Sequence, residues 1–292
     1  MPESSRLRSF AARFLTVLAT TSAVISLTNA PAMAAVTCDT PNVAMYHVDG
    51  LAQLRRWAYA SPLDGSSGWA EQLIGSGWGG VNVVSGGGGV LYTIDSTGKL
   101  RWYKDNDFTG GAASWDPASG SVIGSGWGGF STVISGGQGV IYAVDSSGNL
   151  RWYRYLGTGS PTWASNSGTV IGSGWNSPQK IVAGGQGVIY TVDSSGAMSW
   201  YLNQDALSGS ASWANGGVGK QIGSGWSGFT AIGSAGGGVL FARDTTGRVD
   251  WYRDTDPLGG SSSWANSGAG VSEGTGWDNN QVITDITGCV AF

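Results

Sequence analysis

The pentapeptide Ile74-Gly75-Ser76-Gly77-Trp78 recurs at 123–127, 171–175 and 222–226, and a fifth copy reads Glu273-Gly274-Thr275-Gly276-Trp277. Its tryptophans, Trp78, Trp127, Trp175, Trp226 and Trp277, lie 49, 48, 51 and 51 residues apart. A second series, Trp69, Trp115, Trp163, Trp213 and Trp264, runs 9 to 13 residues ahead of the first. A third, Trp57, Trp102, Trp152, Trp200 and Trp251, sits in strings such as Leu100-Arg101-Trp102-Tyr103. Three markers in one order, five times over, define a tandem repeat, and internal repetition of this period decides architecture before any local motif does.

Each unit reads as four short strands. In the third copy, Gly139 to Val144 is a β-branched and aromatic run of the kind strands favour. Asp145-Ser146-Ser147-Gly148 supplies a tight turn, with Gly148 suited to positive φ. Leu150 to Tyr155 returns as the partner, a Gly/Ser/Pro segment carries Trp163, and Thr169-Val170-Ile171-Gly172 forms a short outer strand. The Gly-Ser-Gly-Trp loop then crosses to an inner strand at 179–183. No segment after residue 34 shows a 3.6-residue apolar period, so the class is all-β.

Four-stranded units of this length arranged in a ring form a β-propeller, whose usual range is four to eight blades. An open solenoid would need atypical capping repeats, whereas here the two ends are complementary. The chain begins on a second-strand equivalent, Val43 to Val48, and ends on an inner-strand equivalent, Gln281 to Ile286. The expectation is a five-bladed propeller of four-stranded antiparallel blades, closed by pairing the C-terminal inner strand with the N-terminal strands. It occupies 35–292 as a single domain, with repeat units at about 43–89, 90–138, 139–186, 187–237 and 238–292.

Residues 1–34 read as a secretory signal peptide. Arg6, Arg8 and Arg13 precede an apolar run from Phe14 to Leu27, and Ala32-Met33-Ala34-Ala35 offers a small-residue cleavage site. A membrane anchor needs about 20 consecutive apolar residues, and Thr16, Thr20, Thr21, Ser22 and Ser26 interrupt this run. The sequence therefore predicts a secreted, extracellular protein without membrane insertion, acting as a monomer. Its net charge of −4 is spread along the chain, which argues against nucleic acid, because phosphate binding needs clustered Lys and Arg. The 51 glycines come with 15 Trp and 10 Tyr, a combination foreign to disordered chains. Export also permits a disulfide. Cys38 precedes the first strand and Cys289 follows the last. If those strands share the closing blade, a four-residue linker reaching ~14–17 Å brings both thiols to its edge, so a Cys38–Cys289 bond is predicted.

Catalytic and metal chemistry find little footing. His47 is the single histidine, and it reads as an ordinary strand residue. The glycine runs lack the Lys-Ser/Thr and helix of a phosphate loop. Sugar hydrolysis needs two carboxylates about 5 to 9.5 Å apart, and Asp285 is the one acid on the inner-strand equivalents. Asp95, Asp145, Asp193 and Asp244 occupy the same hairpin turn in successive copies, where Asp stabilises the turn itself. No catalytic residue, cofactor or metal is assigned. A propeller enzyme using Asp285 or Glu273 remains as an alternative, as does a protein-interaction scaffold.

Repetition suits multivalent binding. Sugars present C–H faces that lie on aromatic rings, and hydroxyls that need fixed partners. The loops around Trp115, Trp163, Trp213 and Trp264 are rich in Ser, Asn and Gly, and the Gly-x-Gly-Trp loops add exposed backbone. The Trp102, Trp152, Trp200 and Trp251 positions are mid-strand and predict inter-blade packing. The Trp69 series predicts the more exposed rings. The Trp78 series is balanced between packing and ligand contact.

With Ile-Gly-Ser-Gly-Trp about ten residues after a loop tryptophan and just before an inner strand, the chain resembles the tachylectin family. The likeness runs from about Val43 to Gly288. It implies a five-bladed propeller lectin with one site per blade for N-acetylated amino sugars such as GlcNAc or GalNAc. The sequence departs from the family pattern in placing Ser or Thr before Trp115, Trp163, Trp213 and Trp264, and in a glycine loop one residue shorter. The resemblance carries over as candidate ligand-binding residues Trp69, Trp115, Trp163, Trp213 and Trp264. It adds the pairs Gly77–Trp78, Gly126–Trp127, Gly174–Trp175, Gly225–Trp226 and Gly276–Trp277.

Overall fold

A computed structural model describes residues 35–66, 68–277 and 281–292; the expected signal segment lies outside the described residues. The described strands form five sheets. From the inside outward, blade I is Ile283–Thr284, Val43–Val48, Gln53–Tyr59 and Trp69–Ser76. Blade II is Asn82–Gly87, Val90–Ile94, Leu100–Lys104 and Ser121–Gly124. Blade III follows as Thr132–Gly137, Val140–Val144, Leu150–Arg154 and Thr169–Gly172. Blade IV is Lys180–Gly185, Val188–Val192, Met198–Leu202 and Lys220–Gly223, and blade V is Phe229–Gly236, Val239–Asp244, Val249–Arg253 and Val271–Gly274.

The second strands of blades III and IV are buried along their whole length because a neighbouring blade covers each face. The apolar clusters accordingly straddle blade boundaries. Ile123 and Trp127 of blade II pack with Ile141 and Ala143 of blade III, and Tyr190 and Trp200 of blade IV pack with Leu240 and Ala242 of blade V. Trp102, Trp152, Trp200 and Trp251 are buried in these clusters, as their mid-strand position predicts.

The ring closes as the two termini imply: Met45 pairs with Thr284 and Tyr46 with Ile283. The C-terminal strand is pinned by Asp285. Its carboxylate accepts from the N–H groups of Gly88 (2.9 Å), Gly89 (3.0 Å) and Thr287 (3.0 Å) and from the Thr287 hydroxyl (2.9 Å). A fully buried acid with four donors is a structural clamp on blade II, not an open catalytic group.

Two expectations need correction. The Cys38–Cys289 disulfide is present, with Cα atoms 4.0 Å apart, but it does not lie at the edge of the closing blade. Val36–Cys38 and Cys289–Ala291 form their own antiparallel ribbon, which docks on the inner strand of blade V through Gly236 and Cys289. After Thr284 the chain turns at Asp285 to Gly288 and leaves blade I before reaching the cysteine. The second correction concerns Trp57. Leu54 and Leu100 are equivalent, each opposite a glycine of the outer strand, so Arg56 takes the place of Trp102 and Trp57 that of Tyr103. Arg56 is buried there, with Nη1 2.6 Å from the Asp105 carboxylate, and it donates to carbonyls in the blade II loop.

Candidate functional site

The repeated pentapeptide builds one wall of a crevice at each blade boundary. Its isoleucine is buried at the end of the outer strand. A Cβ on the next residue, Gly75, Gly124, Gly172 or Gly223, would lie 2.5–2.8 Å from the Nε1 of the following tryptophan, so only glycine lets the indole fold back over the chain. The second glycine, Gly77, Gly126, Gly174 or Gly225, has φ of 78–83° with open space around it, which leaves bare backbone at the surface. The backbone N–H of the tryptophan then locks the loop to the hairpin of its own blade, as in Trp127 to Gly98 O (3.0 Å) and Trp175 to Gly148 O (2.9 Å).

The next blade supplies the other wall. Trp115, Trp163, Trp213 and Trp264 are held by single bridges to Asp105, Tyr155, Asn203 and Asp254. Each indole N–H crosses the boundary to the isoleucine carbonyl of the preceding blade: Trp115 to Ile74 (2.8 Å), Trp163 to Ile123 (3.0 Å), Trp213 to Ile171 (2.6 Å) and Trp264 to Ile222 (2.6 Å). The loop rings are therefore half-buried rather than freely exposed, while Trp78, Trp127, Trp175, Trp226 and Trp277 are buried. Loop and pentapeptide rings face each other with centroids 5.5–5.8 Å apart.

A third ring was not singled out from the sequence. Tyr103, Tyr153, Tyr201 and Tyr252 lie 4.7–5.0 Å from the pentapeptide tryptophans. Their signal was available, since each directly follows the mid-strand tryptophan and points to the opposite face. Burial raises the pKa of Tyr153 and Tyr252 above the usual phenol value, so both keep their proton as donors.

Open space remains between the walls. The crevice of Trp175, Tyr201 and Trp213 encloses about 270 Å³ and adjoins the Ser173-Gly174 and Gly216-Gly217 backbone. That of Trp226, Tyr252 and Trp264 encloses about 290 Å³, with Ser224, Ser262 and Ser267 beside it. The loop indoles spend their N–H on isoleucine carbonyls. By contrast, the indole N–H groups of Trp78, Trp127, Trp175 and Trp226 have no acceptor among the described residues. A site with three aromatic rings, a spare indole donor and bare glycine backbone suits a ligand with an apolar face and carbonyl or hydroxyl oxygens.

The crevice between blades V and I differs. Glu273 replaces isoleucine, and its buried carboxylate accepts from Tyr59 Oη (2.7 Å) and Trp69 Nε1 (3.1 Å). Burial raises its pKa, with those two bonds acting in the opposite direction. Trp69 begins the outer strand of blade I here instead of sitting in a loop. The space, about 280 Å³, is lined by Trp57, Trp277 and a charged group in which Arg55 pairs with Asp49 (2.7 Å) and Glu71.

Comparison with known proteins identifies the family and the fold. The tachylectin family model matches residues 34–156 and 94–290, nearly the whole chain beyond the expected signal segment. The chain belongs to the tachylectin family. As a member it is a carbohydrate-binding propeller without catalytic activity. No curated protein matches it. Among solved structures, this tachylectin-family chain resembles a symmetrical protein studied for its de novo evolutionary emergence, with a TM-score of 0.54 and 20% identity over 80% of this chain and 94% of the other. A mutant of the Aleuria aurantia lectin bound to α-methyl-L-fucoside gives 0.45 and 17% over 83% and 78%. AofleA from Arthrobotrys oligospora gives 0.40 and 11% over 85% and 72%. At these identities the likeness is one of fold.

Proposed function

We propose that the protein is a secreted, multivalent lectin that takes N-acetylated amino sugars at its blade boundaries. The observation that carries this reading is the spare indole N–H of Trp175 and Trp226, each beside an open crevice and opposite a second tryptophan. An acetamido carbonyl is a strong, compact acceptor for such a donor, and the sugar's C–H face fits the paired rings. Secretion is supported by the signal-like N-terminus and by a disulfide of the kind that persists in oxidising compartments. One shallow crevice holding one sugar gives a Kd near ~1 mM, about −4 kcal/mol. Repeated crevices on a rigid ring gain ~10²–10⁴ in avidity on a dense glycan surface. A glycan array with residues 35–292 tests the reading: polyvalent N-acetylated glycans should be retained and their de-N-acetylated counterparts lost. Equal retention of both would overturn the sugar assignment, and retention of no glycan would overturn the function.

A further inference from the structure

A larger cavity, about 490 Å³, lies between blades II and III at the opposite end of the strands from the Gly-x-Gly-Trp crevices. It adjoins the Gly86-Gly87-Gly88 hairpin and is lined by Trp102, Tyr155, Lys104, Asn106, Asp116 and Gln138. Its origin is a difference in loop length. The loop before the second-series tryptophan has nine residues in blades I, II, IV and V but seven in blade III, from Leu156 to Thr162.

The longer loops cover the mid-strand indole of the preceding blade. Trp152 donates to Ala206 O (2.7 Å), Trp200 to Pro257 O (2.7 Å) and Trp251 to Pro62 O (3.0 Å). A glycine lies flat on each of these rings, and a Cβ on Gly209, Gly260 or Gly65 would strike the indole at 2.4–2.6 Å. Trp102 has no such cover. The glycines of the short loop, Gly157 and Gly159, face Ser160 and Ala118 instead, and the Trp102 N–H has no acceptor among the described residues. Lys104 shows the same loss. Arg154 and Arg253, its equivalents, reach forward to loop carbonyls of the next blade, while Lys104 folds back to Gly88 O.

We propose that this cavity is a sixth ligand site, for a neutral saccharide unit of up to disaccharide size. Its volume falls in the ~300–1,000 Å³ range of small-molecule sites. Trp102 and Tyr155 are otherwise buried, and the ring edges they present to the cavity supply apolar contact for sugar C–H groups. The Trp102 N–H, the Asn106 amide and glycine backbone supply hydroxyl partners. One cation, Lys104, and one carboxylate, Asp116, leave the lining without net charge, which favours an uncharged ligand over an ionic one. The site shares no ring with the five crevices, so it stands or falls independently of them.

Nitrogen-15 NMR of the tryptophan indoles tests this with chitobiose, cellobiose and maltose as probes, the Trp102 resonance being assigned from Trp102→Phe. The Trp102 signal should move saturably with at least one disaccharide. Exposed Thr158 lines the cavity, so Thr158→Trp should plug it and abolish the movement, as should a graft of the nine-residue loop 204–212 in place of 156–162. Neither change should alter the responses of Trp175 and Trp226. A Trp102 signal unmoved by all three sugars, or one that still moves with the cavity plugged, would overturn the proposal. Loss of the Trp175 and Trp226 responses alone would instead count against the crevice reading.

Discussion

Trp213 Nε1 donates to the carbonyl of Ile171 at 2.6 Å, tying a blade IV loop to the outer strand of blade III. The ring that forms one wall of the crevice is thus also a strut across the blade boundary, and binding and stability are linked through it. Trp213→Ala should abolish sugar binding at that crevice and cost about 1–3 kcal/mol, part lost contact and part a stranded carbonyl. Trp213→Phe keeps an aromatic face and should lose about 1 kcal/mol with sugar binding largely retained. Trp152→Ala, in the core, should cost about 3–5 kcal/mol and leave binding at the other crevices intact. Urea unfolding paired with sugar titration of each variant checks the sorting.

Arg56 stands where the other blades carry tryptophan, and its partner Asp105 is fully buried. Removing either charge alone leaves the other stranded, so Arg56→Met should destabilise by about 3–5 kcal/mol. Across the boundary of blades III and IV the corresponding positions hold Trp152 and Asn203, so adding Asp105→Asn to the Arg56→Met variant should recover much of that loss. A double-mutant cycle in denaturant measures the coupling.

How much of this was visible in the sequence follows from what each feature depends on. The blades, their turns and the ring closure were legible because they rest on local strings that repeat. The Asp145 turn is typical: its carboxylate accepts from the Ser147 and Asn149 N–H groups, as the turn chemistry predicts. The exchange of Arg56 for tryptophan was hidden because Trp57 lies one residue away, and aligning on tryptophan rather than on Leu54 shifts the register by one. The indole bonds to isoleucine carbonyls join residues about 40 apart across two blades, and no residue type encodes a bond to backbone. The attachment of the cysteine ribbon to blade V rests on one backbone pairing at Gly236 and on Cys289 packing in one cluster with Ala235 and Val239, neither of which leaves a mark in the sequence.

The disulfide closes a loop of 251 residues. By the chain-entropy model its loss should cost up to about 5 kcal/mol. Because the ribbon docks on blade V, Cys38→Ser with Cys289→Ser should first expose the amides of 36–38 and 289–291. The Met45–Thr284 and Tyr46–Ile283 pairs should open later. Hydrogen exchange on the oxidised protein and the double variant reads this order directly.

Acid response has two opposing parts. The Asn149 side chain, together with backbone N–H groups and Arg151, holds Asp145 down to about 2 from an ordinary 3.8. Asp95, Asp193 and Asp244 are lowered by similar bonds. Lowered carboxylates contribute fully above their unfolded value, so this contribution is lost as pH falls from about 4 towards 2. Asp254 is the reverse, raised to about 6 by burial. Its ionisation costs stability as pH rises from about 4 to 6. Asp254→Asn should therefore remove that decline and gain about 1–2 kcal/mol at pH 7 relative to pH 4. Melting curves of both proteins between pH 2 and 8 check the two windows.

The proposed lectin function requires that sugars occupy the crevices between neighbouring blades. A crystal structure of residues 35–292 soaked with N-acetylglucosamine tests it most directly. A sugar ring is expected in the crevice lined by Trp175, Tyr201 and Trp213, and another in that lined by Trp226, Tyr252 and Trp264, with the acetamido oxygen accepting from the Trp175 or Trp226 indole. Sugar bound only elsewhere on the ring, with both crevices holding solvent alone, would contradict it.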